Sequence, residues 1–217
     1  MIVFEEELRY LPRHRQEDGS SPATVYLWQH FRSASQLRDL ACIHFPLLQL
    51  SAYEGLADKR FVERISVDML ACTLCGPTAR LLHAANGRPY LQQGGWEISV
   101  SHTAHTYALS LSRHAHGMDI EAWGNRALRI AGRFLHPAEL DLLHNLPPYT
   151  PEQAATLLWS SKEAAFKRFS AHGAQVISEV HLTAIAPHRL LATLPALQLQ
   201  AQVVCVPYPH CVCTYCI

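Results

Sequence analysis

Neither sign of charge is in excess, because eighteen Lys and Arg balance eighteen Asp and Glu in 217 residues. A chain with no net positive field lacks the footprint of a nucleic-acid binder, and one without an acidic run lacks that of a solvating tail. Any anion must be held by a local cluster. A membrane-spanning run is missing too. The long stretch free of acids and bases, residues 190–209, sets Leu197, Leu199, Ala201 and Val203 against Gln198, Gln200 and Gln202 and contains three prolines. That alternation is the pattern of a half-buried strand. The opening MIVFEEELRY lacks the basic-then-apolar order of a secretory leader. These absences predict a soluble, cytoplasmic protein with no nucleic-acid or membrane partner.

Common catalytic and nucleotide signatures are also missing. No G-x-S-x-G, G-x-x-x-x-G-K-[ST] or G-x-G-x-x-G occurs. Ser101 and His102 are strand neighbours that face opposite sides, which argues against a serine hydrolase. The seven cysteines are odd in number, which points to reduced thiols rather than a disulfide framework. Cys72 and Cys75 with Cys211, Cys213 and Cys216 suggest zinc. Strand parity opposes it by turning Cys216 away from Cys211 and Cys213. Buried apolar thiols are the better reading, and the sequence gives the cysteines no further role.

With 49% hydrophobic and 17% charged residues, the chain has the composition of a folded protein of one or two domains. Phe61, Val62, Ile65 and Met69 form a stripe that predicts a helix over 57–74, ended by Gly76-Pro77. Short strands are expected around Ile98–Val100 and Tyr107–Leu111, and 113–117 reads as a hairpin connection into a strand over 118–121. Helices are expected over 125–134, 137–143 and 151–170. The last is announced by Thr150, Pro151 and Gln153 as cap, first residue and capping-box partner. Strands over 182–185, 197–206 and 211–216 close the chain. Helices and antiparallel strands without regular alternation argue an α+β fold.

Three constellations carry possible chemistry. In Gly117-Met118-Asp119-Ile120-Glu121 the strand period puts both carboxylates on one face, a hard-oxygen pair that suits Mg²⁺; taken alone, it is better described as a solvated acidic strand. In Trp159-Ser160-Ser161-Lys162-Glu163-Ala164-Ala165-Phe166-Lys167, Trp159, Glu163 and Lys167 fall on one helical stripe. Glu163 and Lys167 by themselves would be an ordinary surface pair worth about 0.2–0.5 kcal/mol. The third constellation sets Arg88, in the turn Asn86-Gly87-Arg88-Pro89, before Ile98-Ser99-Val100-Ser101-His102-Thr103. A guanidinium fork in a turn and a histidine late in a strand could meet phosphates.

Taken in order, these pieces resemble the 4′-phosphopantetheinyl transferases, of the longer surfactin-synthetase-activating type. The resemblance rests on G-[KR]-P at Gly87-Arg88-Pro89, S-x-S-H-T at 99–103, G-x-D-x-E at 117–121 and W-x-x-K-E-A-x-x-K at 159–167. Arg133-Phe134-Leu135 with Glu139 matches a further stretch, and the whole covers about 57–170. It implies two similar α+β halves related by a pseudo-twofold, here 1–115 and 116–217, with the active site between them. It implies transfer of the phosphopantetheine arm of coenzyme A to a serine of an acyl or peptidyl carrier protein, releasing adenosine 3′,5′-bisphosphate. It further implies Mg²⁺ on Asp119, Glu121 and Glu163, with Glu163 as general base and Asp119 and Lys167 sharing the catalytic work. Arg88, Ser101, His102 and Lys167 would bind coenzyme A. Lys162 would join them in the cleft, or else be a helix-surface lysine. A monomer is implied, since one chain holds both halves. Where relatives place an arginine late in the first long helix, this chain has Asp68, which motivates the alternative of a non-catalytic binder of coenzyme A or carrier protein.

Overall fold

The computed structural model describes residues 8–10, 23–92, 95–186 and 188–217. Apart from 8–10, the N-terminal segment read above for a leader lies outside them. The chain divides into two units, Met1–Arg113 and His114–Ile217. Each mixes helices with antiparallel strands, so the fold is α+β.

The first unit contains β1 (Leu8–Tyr10), β2 (Thr24–Gln29), α1 (Ala34–His44), α2 (Asp58–Cys75), β3 (Leu81–His83), β4 (Pro89–Leu91), β5 (Glu97–Thr103) and β6 (Thr106–Ser112). Its main sheet runs β1-β2-β6-β5, and β3 pairs with β4 as a separate hairpin. Phe61, Ile65, Met69 and Leu70 of α2 join Trp28, Ile98 and Leu109 in the core. The helix stops where Gly76 adopts φ 103° and donates its N–H to the Cys72 carbonyl at 3.1 Å, a conformation that favours glycine.

The second unit contains β7 (Gly117–Ala122), α3 (Arg126–Arg129), α4 (Ala131–Phe134), α5 (Pro151–Phe169), β8 (His181–Ala186), β9 (Arg189–Leu194), β10 (Leu199–Pro207) and β11 (Cys211–Cys216). The sheet order is β7-β11-β10-β9-β8, antiparallel throughout. The predicted capping box starts α5. Thr150 Oγ1 accepts from Gln153 N at 3.4 Å, and Gln153 Oε1 accepts from Thr150 N at 3.1 Å. Phe134, Leu157, Leu158, Phe169, Val203 and Val212 fill the core between α5 and the sheet.

Gly117 decides how close α5 comes. A Cβ at this position would stand 1.9 Å from the Ala164 carbonyl oxygen and 2.7 Å from the Arg168 nitrogen. Strand and helix backbones therefore touch, which only a residue without a side chain allows. The small, buried Ala164 and Ala165 complete the contact.

Several expectations are corrected. Residues 113–116 are not a hairpin connection: β6 pairs with β2 and β5, whereas β7 pairs with β11, so this segment passes between sheets. The helix expected over 125–134 is two short helices joined at Ile130, whose φ of −113° and ψ of 10° break the helical course. Residues 137–143 form a 3-10 helix. The apolar run from Leu190 holds a strand of its own, β9, separated from β10 by a 3-10 turn at Pro195–Leu197.

Candidate active site

β7 and α5 supply the site. In the register of the sheet Asp119 lies opposite Thr214 of β11. Asp119 is buried at 5% exposure, yet it is not stranded in apolar surroundings. Lys167 Nζ donates to Asp119 Oδ1 at 2.8 Å and to the Met118 carbonyl at 3.0 Å. A buried carboxylate is tolerated when a cation and hydrogen bonds meet it, and Lys167 provides both.

Glu121, two residues along the strand, and Glu163, one helical turn before Lys167, share the field of Asp119. Burial is the main cause that pushes the Glu121 carboxyl above its ordinary value, followed by Asp119 and, more weakly, Glu163; Arg126 and Lys167 pull it back. Glu163 is pushed up by burial and by Asp119, against the pull of Lys167. The structure thus gathers Asp119, Glu121, Glu163 and Lys167 into one electrostatic group. The carboxylates outnumber the lysine, and two of them resist ionisation.

The frame around them is closely hydrogen-bonded. Thr214 Oγ1 donates to the Ser160 carbonyl at 2.8 Å, which leaves Ser160 Oγ to donate to Thr214 Oγ1 at 2.9 Å. Arg168 Nη1 donates to the Ala115 carbonyl at 2.6 Å, just before β7. Trp159 packs edge-on against Phe134 with ring centroids 5.0 Å apart. Seen from the helix, α5 is tied to β11 through one residue and to the start of β7 through another.

Lys162 requires a correction. It reaches neither solvent nor a cleft, because its side chain is 0% exposed and its ammonium lies 2.7 Å from Glu139 Oε2. Nζ also donates to the Val180 carbonyl at 2.5 Å. Burial pulls its pKa down and Glu139 pushes it back up. A lysine enclosed this way cannot be a coenzyme A contact. The sequence reading missed the partner: Glu139 also accepts from Leu182 N at 2.5 Å and from His136 N at 2.6 Å. The signal was there in part, since His136-Pro137-x-Glu139 has the shape of a helix start with an acid as third residue.

Arg88, Ser101 and His102 belong to the first unit. Gly87 at φ 81° turns the β3–β4 hairpin, and Asn86 Oδ1 accepts from Arg88 N at 3.1 Å. The Arg88 guanidinium pairs with Glu97 of β5. Ser101 is half-buried on β5. His102 is exposed, its Nε2 3.4 Å from Glu63 Oε1 of α2, and its ring runs nearly parallel to Tyr107 with centroids 6.4 Å apart. Asp68 accepts a hydrogen bond from Tyr53 OH at 2.5 Å, and burial pushes its carboxyl up against the pull of that bond and of Arg64.

The five buried cysteines, Cys72, Cys205, Cys211, Cys213 and Cys216, behave as apolar filling. Burial pushes Cys205 and Cys216 up to about 12 and Cys72 and Cys211 up to about 11. Such thiols stay protonated and unreactive near neutrality.

Residues 115–213 match the model of the 4′-phosphopantetheinyl transferase superfamily. The match spans nearly all of the second unit and includes the four grouped site residues as well as Glu139 and Lys162. It supports transfer of a phosphopantetheine group as the chemistry of this unit. No curated protein matches the chain.

Proposed function

We propose that this protein transfers the phosphopantetheine arm of coenzyme A to a serine hydroxyl of an acyl or peptidyl carrier protein, as an enzyme of the longer, surfactin-synthetase-activating type. The observation that carries the reading is the grouping of Asp119, Glu121, Glu163 and Lys167 on β7 and α5, inside the segment that matches the superfamily.

The donor chemistry suits Mg²⁺. Three hard carboxylates share one field, and two of them have carboxyls pushed up, chiefly by burial and secondarily by neighbouring carboxylates. Among the described residues no three or more His, Cys, Asp or Glu side chains are grouped closely enough to hold a metal ion by themselves. Mg²⁺ needs no such cage, since it is commonly held by one or two carboxylates with substrate phosphates and water. Asp119, Glu121 and Glu163 would hold it, and the ion would polarise the pyrophosphate of coenzyme A and offset charge on the leaving phosphate.

The residues then divide the work. Glu163 takes the proton of the carrier serine as its oxygen bonds to the phosphorus that carries pantetheine. The phosphoanhydride bond to adenosine 3′,5′-bisphosphate breaks, and the leaving oxygen takes the bonding electrons. Lys167 neutralises the departing phosphate. Asp119 holds Lys167 in place, and in the first unit Arg88, Ser101 and His102 bind the phosphates of coenzyme A. The alternative of a non-catalytic binder draws on Asp68, an acid held by Tyr53 where a cation would help bind an anion.

Intact-protein mass spectrometry separates the two. Apo carrier protein incubated with this chain, coenzyme A and Mg²⁺ should gain one phosphopantetheine arm, and lose that gain with chelator or with Asp119→Ala. Coenzyme A binding without any gain across fatty-acid, polyketide and peptide carriers would favour the binder.

A stability measurement tests the metal separately. Glu121 and Glu163 have folded-state pKa values above the ordinary 4.5. Carboxyls raised on folding favour the folded state while protonated, and that benefit is lost as pH rises through the raised values. Above those values both carry charge at a cost, which a divalent cation relieves. Mg²⁺ should therefore raise the melting temperature where the carboxyls are ionised, and the increment should shrink as pH falls through their raised values. An increment that does not change with pH would remove these carboxylates from the metal site.

A further inference from the structure

We propose that the buried Glu139–Lys162 pair is a positioning device that sets the roll of α5 about its own axis, and through it the placement of Glu163 and Lys167 against β7. The inference rests on the transferase reading above.

The pair is built for a fixed geometry. The Lys162 and Glu139 side chains are 0% and 4% exposed and 2.7 Å apart. Each member is also tied to backbone: Lys162 to the Val180 carbonyl, Glu139 to the amides of His136 and Leu182. The amides and carbonyl come from the start of the 3-10 helix Pro137–Leu143, the start of β8 and the residue preceding it. One ion pair thereby joins α5 to two other elements of the unit. Neither partner can shift without leaving a buried charge or amide unmet.

Lys162 is the immediate neighbour of Glu163, about 100° around the helix from it. Side-chain tips stand about 5–6 Å from a helix axis, so a roll of about 10° moves them by roughly 1 Å. An error of that size at a reacting centre can cost on the order of 100-fold in rate. On its sheet side α5 meets β7 through bare backbone at Gly117 and is tied by Lys167 to Met118 and Asp119, by Arg168 to Ala115 and by Ser160 to Thr214. Lys162 grips the helix on another face and adds a second, separate restraint on its roll.

A purely structural role and a positioning role differ in a double variant. Lys162→Met alone leaves the Glu139 carboxylate buried without its cation, and should lower the melting temperature sharply. Glu139→Gln with Lys162→Met removes both charges and should recover most of that loss. Under the positioning role the recovered protein still turns over at least 10-fold more slowly. Its KM for coenzyme A stays within about twofold, and its Mg²⁺-dependent rise in melting temperature is reduced. A stable double variant with wild-type kcat and wild-type Mg²⁺ response overturns the inference. If Lys162→Met melts like the wild type, the pair does not restrain α5, which also overturns it. A double variant that stays unstable is replaced by Lys162→Arg, which keeps the charge but displaces its centre; wild-type kcat and Mg²⁺ response in that variant overturn the inference. Wild-type protein that neither transfers nor responds to Mg²⁺ defeats the transferase reading, and this inference with it.

Discussion

Replacing Glu163 by Gln should abolish transfer to the carrier serine while leaving the protein folded. The substitution keeps size and one acceptor oxygen but removes the charge and the ability to take a proton. Two roles are lost together, the base and one of three carboxylates for Mg²⁺. General-base loss alone typically costs about 10²–10⁴-fold. The fold should survive, because this carboxyl resists ionisation in its buried setting, and a neutral amide relieves that strain. Melting temperature without Mg²⁺ should therefore stay level or rise slightly, whereas single-turnover phosphopantetheine transfer should fall by at least 1,000-fold on the order expected for a lost base and ligand. Unchanged turnover would take Glu163 out of both roles.

The second large effect is expected at Gly117. Alanine there adds one methyl group, and that methyl would stand 1.9 Å from a backbone oxygen of α5. No rotamer change can relieve a clash between a Cβ and backbone, so β7 and α5 must separate. Overpacking of this kind costs about 3 kcal/mol, the upper end of its usual range. The separation also pulls Met118 and Asp119 away from Lys167, whose hydrogen bonds to them are 3.0 and 2.8 Å long. Gly117→Ala should thus lose stability in urea unfolding and lose transfer in the same protein. Wild-type values for both would mean that the backbone contact is not needed.

What could be read from the chain divides along physical lines. Local signals were enough for α2 and α5, because caps, Gly76-Pro77 and Thr150-Pro151-x-Gln153 act over a few residues. Asp119 with Glu121 and Glu163 with Lys167 could be placed on common faces because each pair follows the period of its own element, two in β7 and four in α5, and the resemblance of the ordered motifs made them site candidates. The helix α1 was missed, although Ser33 and Gln36 form a capping box of the kind recognised at Thr150. β9 has no counterpart among the expected strands, because the run from Leu190 carries no glycine or asparagine to mark the turn between it and β10. Lys162 was misread for a different reason. Its partner Glu139 lies in a separate element, and no periodicity in α5 says that a lysine on its surface will be enclosed by β8 and a 3-10 helix. The touching backbones at Gly117 were invisible in the same way, since a glycine in a strand motif does not announce what approaches it.

The distribution of the thiols has a practical side. Five of the seven are buried and Cys75 is partly covered, leaving Cys42 on α1 exposed. A maleimide dye or spin label offered to the native protein for a short time has one exposed sulfur to find, that of Cys42. The chain thus carries its own attachment point in the unit that lacks the carboxylate cluster, and binding to that unit can be followed optically without first stripping cysteines from the sequence.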